Sequence, residues 1–209
     1  MARFILKDPF YKKAKQEGFR ARSAYKLKEI EDRFHLVQKG DTVLDLGCAP
    51  GSFLQVLSGM VGERGTVIGI DILPTPPLSL KNITAIEADI RQADVPGLLS
   101  RLSLAAVDTV TCDIAPNLSG IREVDDAHIE ELFTCVLKVV DEALKPGGHF
   151  IIKSFSTGIQ KRITTELQMR FRKVSQYKPA ASRSVSSEVF FVCMGKKQTV
   201  TGRRSQVSG

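Results

Sequence analysis

Lys153 sits near the end of an apolar run, His149-Phe150-Ile151-Ile152-Lys153-Ser154-Phe155, and Asp113 closes another over 107–113. A charged group in such a run is costly to bury unless it has a partner. A lysine and a carboxylate ending neighbouring strands are therefore candidates for proton handling, with snorkelling of Lys153 to the sheet edge as the alternative. Three further aspartates follow apolar runs: Asp45, Asp71 and Asp89. With the strands parallel, these four carboxylates line one rim of a sheet, and ligands bind at that rim in open α/β folds. Glu188 opens the last strand and is the remaining charged group of this kind.

The stretch Val43-Leu44-Asp45-Leu46-Gly47-Cys48-Ala49-Pro50-Gly51-Ser52-Phe53 reads as strand, tight loop and helix. Gly47 and Gly51 let backbone and ligand approach closely, and the N-terminus of the helix carrying Phe53, Leu54, Val56 and Leu57 faces that ligand. The spacing differs from the dinucleotide G-x-G-x-x-G, because Cys48 and Ala49 occupy its second glycine region and Pro50 stiffens the turn. Asp71 ends the second strand, the place where such folds hold a ribose through its hydroxyls. Asp89 is placed to accept from an adenine amino group, an acidic surface turn being the alternative. The residues describe a nucleotide-cofactor crevice flanked by a lysine and carboxylates.

Positioning these groups requires alternating strands and helices, hence a mostly parallel sheet. Strands are expected over 43–46, 66–71, 83–86, 107–113, 149–155, 174–177 and 188–193. The last two are consecutive and imply one antiparallel edge. Helices are expected over 24–34, from Phe53 to the glycines between 59 and 65, and over 95–104, 125–144 and 159–171. Ser23 is the expected N-cap of the first, whose stripe is Leu27, Ile30 and Phe34. Lys26 falls in its first turn, where a cation opposes the helix dipole, so solvent exposure is expected. Pro74, Pro76 and Pro77 make a stiff loop, and Pro146-Gly147-Gly148 end the long helix. Residues 195–209 carry no apolar pattern and are expected to be disordered. The expected organisation is a basic arm over 1–22, one α/β domain over 23–194 and a tail over 195–209.

Charge is unevenly spread. Residues 1–28 hold nine Lys/Arg against Asp8 and Glu17, a net +7 that equals the charge of all 209 residues. A basic arm interleaved with Phe4, Phe10, Tyr11 and Phe19 suits phosphate neutralisation with base stacking, although the aromatics could instead dock the arm onto the domain. Cys48, Cys112, Cys135 and Cys193 are scattered without a C-x-x-C pair, and three histidines are widely separated. Reduced buried thiols are expected, with no disulfide and no metal site. No apolar run approaches the roughly 20 residues that span a bilayer, and the N-terminus lacks a signal-peptide core, so a cytoplasmic protein is expected.

Four segments in order carry a more specific resemblance. Asp45-Leu46-Gly47-Cys48-Ala49-Pro50-Gly51, Asp113-Ile114-Ala115-Pro116-Asn117, Ile152-Lys153-Ser154-Phe155 and Ser182-Arg183-Ser184-Val185-Ser186-Ser187-Glu188 resemble the motifs of the FtsJ/RrmJ (RlmE-type) family. That family comprises RNA ribose 2′-O-methyltransferases that use S-adenosyl-L-methionine, and the likeness runs from about residue 20 to 193. It implies a Rossmann-like, seven-stranded methyltransferase sheet with helices on both faces. It also implies a catalytic tetrad of Lys26, Asp113, Lys153 and Glu188, with cofactor contacts at Gly51, Phe53, Asp71, Asp89 and Asp113. Many members read Pro-Gly-Gly-Trp where this chain has Pro50-Gly51-Ser52-Phe53. Ser52 is small and keeps its backbone N–H, so cofactor binding is expected to survive the change.

The implied chemistry suits the residues. A ribose 2′-hydroxyl is a weak nucleophile and needs a positioned base or cation as it attacks a sulfonium methyl. Lys153 is the expected base or alkoxide stabiliser, held by Asp113 and Glu188. The resemblance further implies large-subunit ribosomal RNA as partner, at a uridine of the A-loop, and a monomer. The rivals are a tRNA anticodon-loop enzyme, a small-molecule methyltransferase and a non-catalytic ribosome assembly factor. The basic arm disfavours the second, and a complete set of four charged residues disfavours the third.

Overall fold

The computed structural model of the protein describes residues 9–115, 119–155, 158–182 and 188–198. Two helices, α1 (Pro9–Gln16) and α2 (Ser23–Phe34), precede the first strand. There follow β1 (Thr42–Leu46), α3 (Ser52–Val61), β2 (Thr66–Asp71), β3 (Ile83–Glu87), α4 (Val95–Arg101) and β4 (Val107–Cys112). The second half adds α5 (Arg122–Ala143), β5 (Leu144–Phe155), α6 (Gln160–Arg170), β6 (Phe171–Tyr177) and β7 (Glu188–Lys196).

The strands form one sheet in the order β3-β2-β1-β4-β5-β7-β6. Pairings from β3 to β5 are parallel, while β7 is antiparallel to both β5 and β6. The antiparallel strand thus lies one place in from the edge, between β5 and β6. Strand order reverses at β1, and the crevice between the carboxyl ends of β1 and β4 is the topological switch point where such sheets bind ligands.

Side-chain alternation on the pleat sends residues to two cores. Leu44, Leu46, Val110, Phe150, Ile152 and Phe191 pack beneath α4, α5 and α6. Val43, Val67, Ile151, Phe190 and Val192 face α2 and α3, meeting Leu27, Ile30, Leu54 and Leu57. Fully burying each such side chain contributes roughly 1.5–3 kcal/mol of transfer free energy. The central β1 is buried along nearly its whole length, whereas the edge strands β3 and β6 are mostly half-buried or exposed. Among the described residues no helix is long and apolar enough to cross a membrane.

Several boundaries differ from the sequence expectation. α2 includes Ser23, its N-cap is Arg22, and the Ser23 hydroxyl lies 2.7 Å from Ser52 Oγ on α3 rather than capping its own helix. β5 begins at Leu144, so Pro146-Gly147-Gly148 lie inside an irregular strand, with a register shift against β4 between Val107 and Thr109. β7 runs on to Lys196, beyond the expected boundary at 194. That lysine is buried and donates to the carbonyls of Val140, Asp141 and Leu144 at 2.7, 2.8 and 2.7 Å, capping the end of α5. The expected tail beyond residue 198, and the arm before residue 9, lie outside the described residues.

Residues 9–22 are docked onto the domain. Phe10 and Phe19 pack on the ring of Tyr25 with centroids 5.7 and 5.8 Å apart, and Ala14 is buried beside Ala181. Docking therefore accounts for Phe10 and Phe19, while Tyr11 remains 63 % exposed.

Candidate active site

The rim at the carboxyl ends of β1, β2 and β4 receives β5 from the same direction and the start of β7 from the other. In the β5–β7 ladder Lys153 stands opposite Phe190 and Phe155 opposite Glu188. Lys153 and Glu188 are thus diagonal neighbours on one face of the sheet. Asp113 follows directly after the last residue of β4 and reaches Lys153: Nζ lies 2.9 Å from Asp113 Oδ1. The directed hydrogen bond from this ammonium goes to the Asp113 carbonyl oxygen at 2.6 Å. The side-chain contact is an ion pair off the hydrogen-bonding angle, and Oδ1 has no hydrogen-bond donor of its own. The costly lysine of the fifth strand is thereby partnered in place and does not snorkel.

Lys26 completes the group from α2. Its Nζ lies 2.6 Å from Glu188 Oε1, with side-chain exposures of only 8 % and 11 %. The expectation of a solvent-exposed lysine is wrong, because α2 lies against the sheet and its first turn points at the start of β7. Ser182 Oγ donates to the same Glu188 oxygen at 2.9 Å. Burial alone would raise the Glu188 carboxyl. The Lys26 hydrogen bond and charge, the Ser182 hydroxyl and the charge of Lys153 outweigh it and hold the carboxyl below its ordinary range. The structure therefore brings Lys26, Glu188, Lys153 and Asp113 together as two ion pairs at one end of the sheet.

The glycine loop is built by close packing. Gly47 has φ +78°, and a Cβ there would lie 2.5 Å from Ile114 Cγ1, so only glycine fits. Gly51 has φ +106° and caps α3, and the Ala49–Pro50 peptide is cis. Asp71 holds the loop from the neighbouring strand, accepting from Ala49 N at 2.8 Å through Oδ2 and from Leu73 N at 2.9 Å through Oδ1. Each carboxylate oxygen has a second acceptor site. Ser52 and Phe53 are both buried, the first against Ser23 and the second in the cluster under α2 and α3.

Asp45 and Asp89 occupy contrasting settings. Asp45 is fully buried one layer below the rim, with Thr111 Oγ1 donating to its Oδ1 at 2.6 Å and Oδ2 without a partner. Burial pushes its carboxyl up to about 8; the Thr111 bond opposes this, and Asp113 and Asp71 add to it. Asp89 lies two residues beyond β3 and is bidentate to Arg91, with Nε 3.0 Å and Nη2 2.6 Å from its oxygens. These bonds hold Asp89 below the ordinary carboxylate range.

One supporting residue was not legible as functional. Glu29 accepts from the backbone N–H groups of Ala180 and Ala181 at 2.6 and 3.0 Å, tying the loop before Ser182 to α2. Glu29 lies three residues after Lys26, on the same helix face, and that spacing was the available signal. Arg183–Ser187 fall outside the described residues. The four cysteines are free, with Cys48, Cys112 and Cys193 buried. Among the described residues no group of three His, Cys, Asp or Glu side chains is placed to hold a metal ion.

The chain matches the model of the FtsJ-like methyltransferases over residues 19–196. It is 42% identical over 194 residues to "Ribosomal RNA large subunit methyltransferase E" of Caulobacter vibrioides, covering 92% of this chain and 83% of that one. The protein of the same name from Bdellovibrio bacteriovorus is 39% identical over 192 residues, covering 91% and 97%. Among solved structures, a Plasmodium falciparum protein described as a ribosomal RNA methyltransferase superposes with a TM-score of 0.75 at 25% identity, covering 87% of this chain and all of that one. Aeropyrum pernix fibrillarin, solved with bound S-adenosyl-L-methionine, shares the fold at a TM-score of 0.58 and 19% identity, covering 82% and 73%. The strand order, the glycine loop and the paired lysines and carboxylates fall within the matched span, and the chain belongs to the FtsJ-like methyltransferase family.

Proposed function

We propose that the protein transfers a methyl group from S-adenosyl-L-methionine to a ribose 2′-hydroxyl of large-subunit ribosomal RNA, at a uridine of the A-loop. It would act as a monomer in the cytoplasm. The observation that carries this reading is the meeting of the Lys26–Glu188 and Lys153–Asp113 pairs beside the glycine loop. The names of the curated relatives support ribosomal RNA as the substrate.

The residues present fit the cofactor. Gly47 and Gly51 hold the loop in a tight positive-φ turn at the crevice, Asp71 keeps acceptor capacity for ribose hydroxyls, and Asp45 Oδ2 is a buried polar atom without a hydrogen-bond partner below the loop. Gly51, Phe53, Asp71, Asp89 and Asp113 are the residues we assign to it, Phe53 through its backbone. When bound, the cofactor supplies an electrophilic methyl on a sulfonium.

The protein side of the reaction falls to the four charged residues. In this reading Lys153 either accepts the hydroxyl proton as the neutral amine or, as the ammonium, stabilises the developing alkoxide while the proton passes to solvent. Asp113 fixes the lysine from one side through both its carbonyl and its carboxylate. Lys26 keeps Glu188 ionised beside it. Alignment of hydroxyl and methyl in a fixed frame supplies much of the remaining acceleration. The exposed Lys12, Lys13 and Lys15 of the docked α1 provide a sequence-independent hold on phosphates.

The test is methyl transfer from labelled S-adenosyl-L-methionine to assembled large subunits, protein-free ribosomal RNA and bulk tRNA from an unmodified strain. Label in the subunits, mapped to a ribose 2′-oxygen, is the expected result. Label confined to tRNA, or none anywhere despite cofactor binding, would contradict the proposal.

A further inference from the structure

Arg20 belongs by sequence to the basic arm, yet its half-buried guanidinium is turned onto backbone carbonyls of two loops. Nη1 donates to Pro50 O at 2.8 Å and to Pro76 O at 2.5 Å, and Nη2 donates to Pro77 O at 2.5 Å. The first carbonyl belongs to the glycine loop, immediately before Gly51. The other two belong to the loop that leaves Asp71. One planar fork thus spans the two segments that wall the proposed cofactor crevice.

The need for an outside donor follows from the sequence. Of residues 74–77, three are prolines without a backbone N–H, so this segment has little means of bonding to itself or to a neighbouring strand. Packing at the junction is tight: a Cβ on Gly51 would lie 3.1 Å from Arg20 Nη1, 3.2 Å from Leu78 Cδ1 and 3.4 Å from Thr75 Cγ2. Arg20 is itself held by α3. Its backbone N–H donates to Gln55 Oε1 at 2.9 Å, and Gln55 Nε2 returns a bond to Gly18 O at 2.9 Å. Three residues later, the Ser23–Ser52 hydroxyl contact adds another tie between the same two segments.

We propose that Arg20 is a positioning residue for the cofactor crevice, buckling the glycine loop to the proline loop and using its charge inward rather than on RNA. This rests on the reading that the crevice binds S-adenosyl-L-methionine. The guanidinium fork suits this geometry, because two separate nitrogens divide the three carbonyls between them, whereas a lysine ammonium bonds three only where they converge on one point, as they do around Lys196. The arm and the cofactor loop then move as one body, so that seating of residues 18–23 is coupled to cofactor affinity.

Arg20→Met and Arg20→Lys are compared with wild type by calorimetric titration of S-adenosylhomocysteine, by thermal unfolding and by RNA-binding salt slopes at saturating cofactor. The expected result is a rise in Kd of tenfold or more for Arg20→Met and only partial recovery in Arg20→Lys. The KM for S-adenosyl-L-methionine should rise with kcat at saturation unchanged, and the RNA salt slope should stay as in wild type. Unchanged cofactor affinity in Arg20→Met, with a salt slope shallower by about one phosphate contact, would overturn the assignment and return Arg20 to the RNA surface. Full recovery by lysine would overturn the fork argument. Wild-type protein that binds no S-adenosylhomocysteine would overturn the cofactor reading as well, and so separates the two failures.

Discussion

Lys26 and Glu188, far apart in the chain, meet at 2.6 Å with almost no access to water. Their pairing connects the helix that follows the basic arm to the strand that closes the sheet. Removing one partner leaves the other charge buried without its counter-ion, which typically costs about 3–5 kcal/mol. Lys26→Met should destabilise the protein by roughly 3 kcal/mol in chemical denaturation, and Glu188→Gln by less, since a glutamine oxygen still accepts from Lys26. The double variant should cost less than the sum of the two. Additive losses would show that the pair does not act as a unit.

Acid stability should depend on the same carboxylate. Glu188 titrates below its ordinary value of 4.5 in the folded protein. Its contribution is therefore present above that value and is lost as pH falls through the depressed folded value. Glu188→Gln should flatten the acid limb of a stability–pH profile below about pH 4.5. An unchanged acid limb would count against the pairing.

Asp45 gives the opposite sign. Its carboxyl is raised from 3.8 to about 8, so between those values the folded protein holds a proton that the unfolded chain has released. Stability from this group declines as pH rises across that window. Asp45→Asn keeps an acceptor for Thr111 and should remove the decline, giving a flatter profile between about pH 4 and 8 when followed by urea denaturation.

Lys196 should matter for stability without touching the chemistry. Lys196→Met strands carbonyls at the buried end of α5, notably those of Val140 and Leu144. A loss of about 2–3 kcal/mol in unfolding free energy is expected, with cofactor affinity unchanged.

Much of the scaffold was readable from local pattern. The apolar run ending at Asp45, the paired glycines and the amphipathic stretch after them specify strand, loop and helix, and the structure has all three. Asp113 and Lys153 stood out because charged groups ending apolar strands need partners, and they partner each other. What local pattern could not supply was long-range contact. Lys26 reads as a surface lysine until β7 is placed against α2, and Arg20 reads as a phosphate ligand until the proline loop is folded back over it. Lys196 reads as part of a polar tail because its partners are carbonyls at the end of a distant helix. Ser23 reads as an N-cap because its rank at such positions is high, yet a tertiary partner, Ser52, claims the hydroxyl.

In the proposed reaction Lys153 acts directly on the ribose hydroxyl from a preformed site. Single-turnover methyl transfer to assembled large subunits by Lys153→Ala, with S-adenosylhomocysteine affinity measured on the same preparation, tests it most directly. A fall in rate on the order of a thousandfold is expected, with cofactor Kd within a few-fold of wild type. A Lys153→Ala protein that methylates at near wild-type rate, or one whose loss is matched by a loss of cofactor binding, would contradict it.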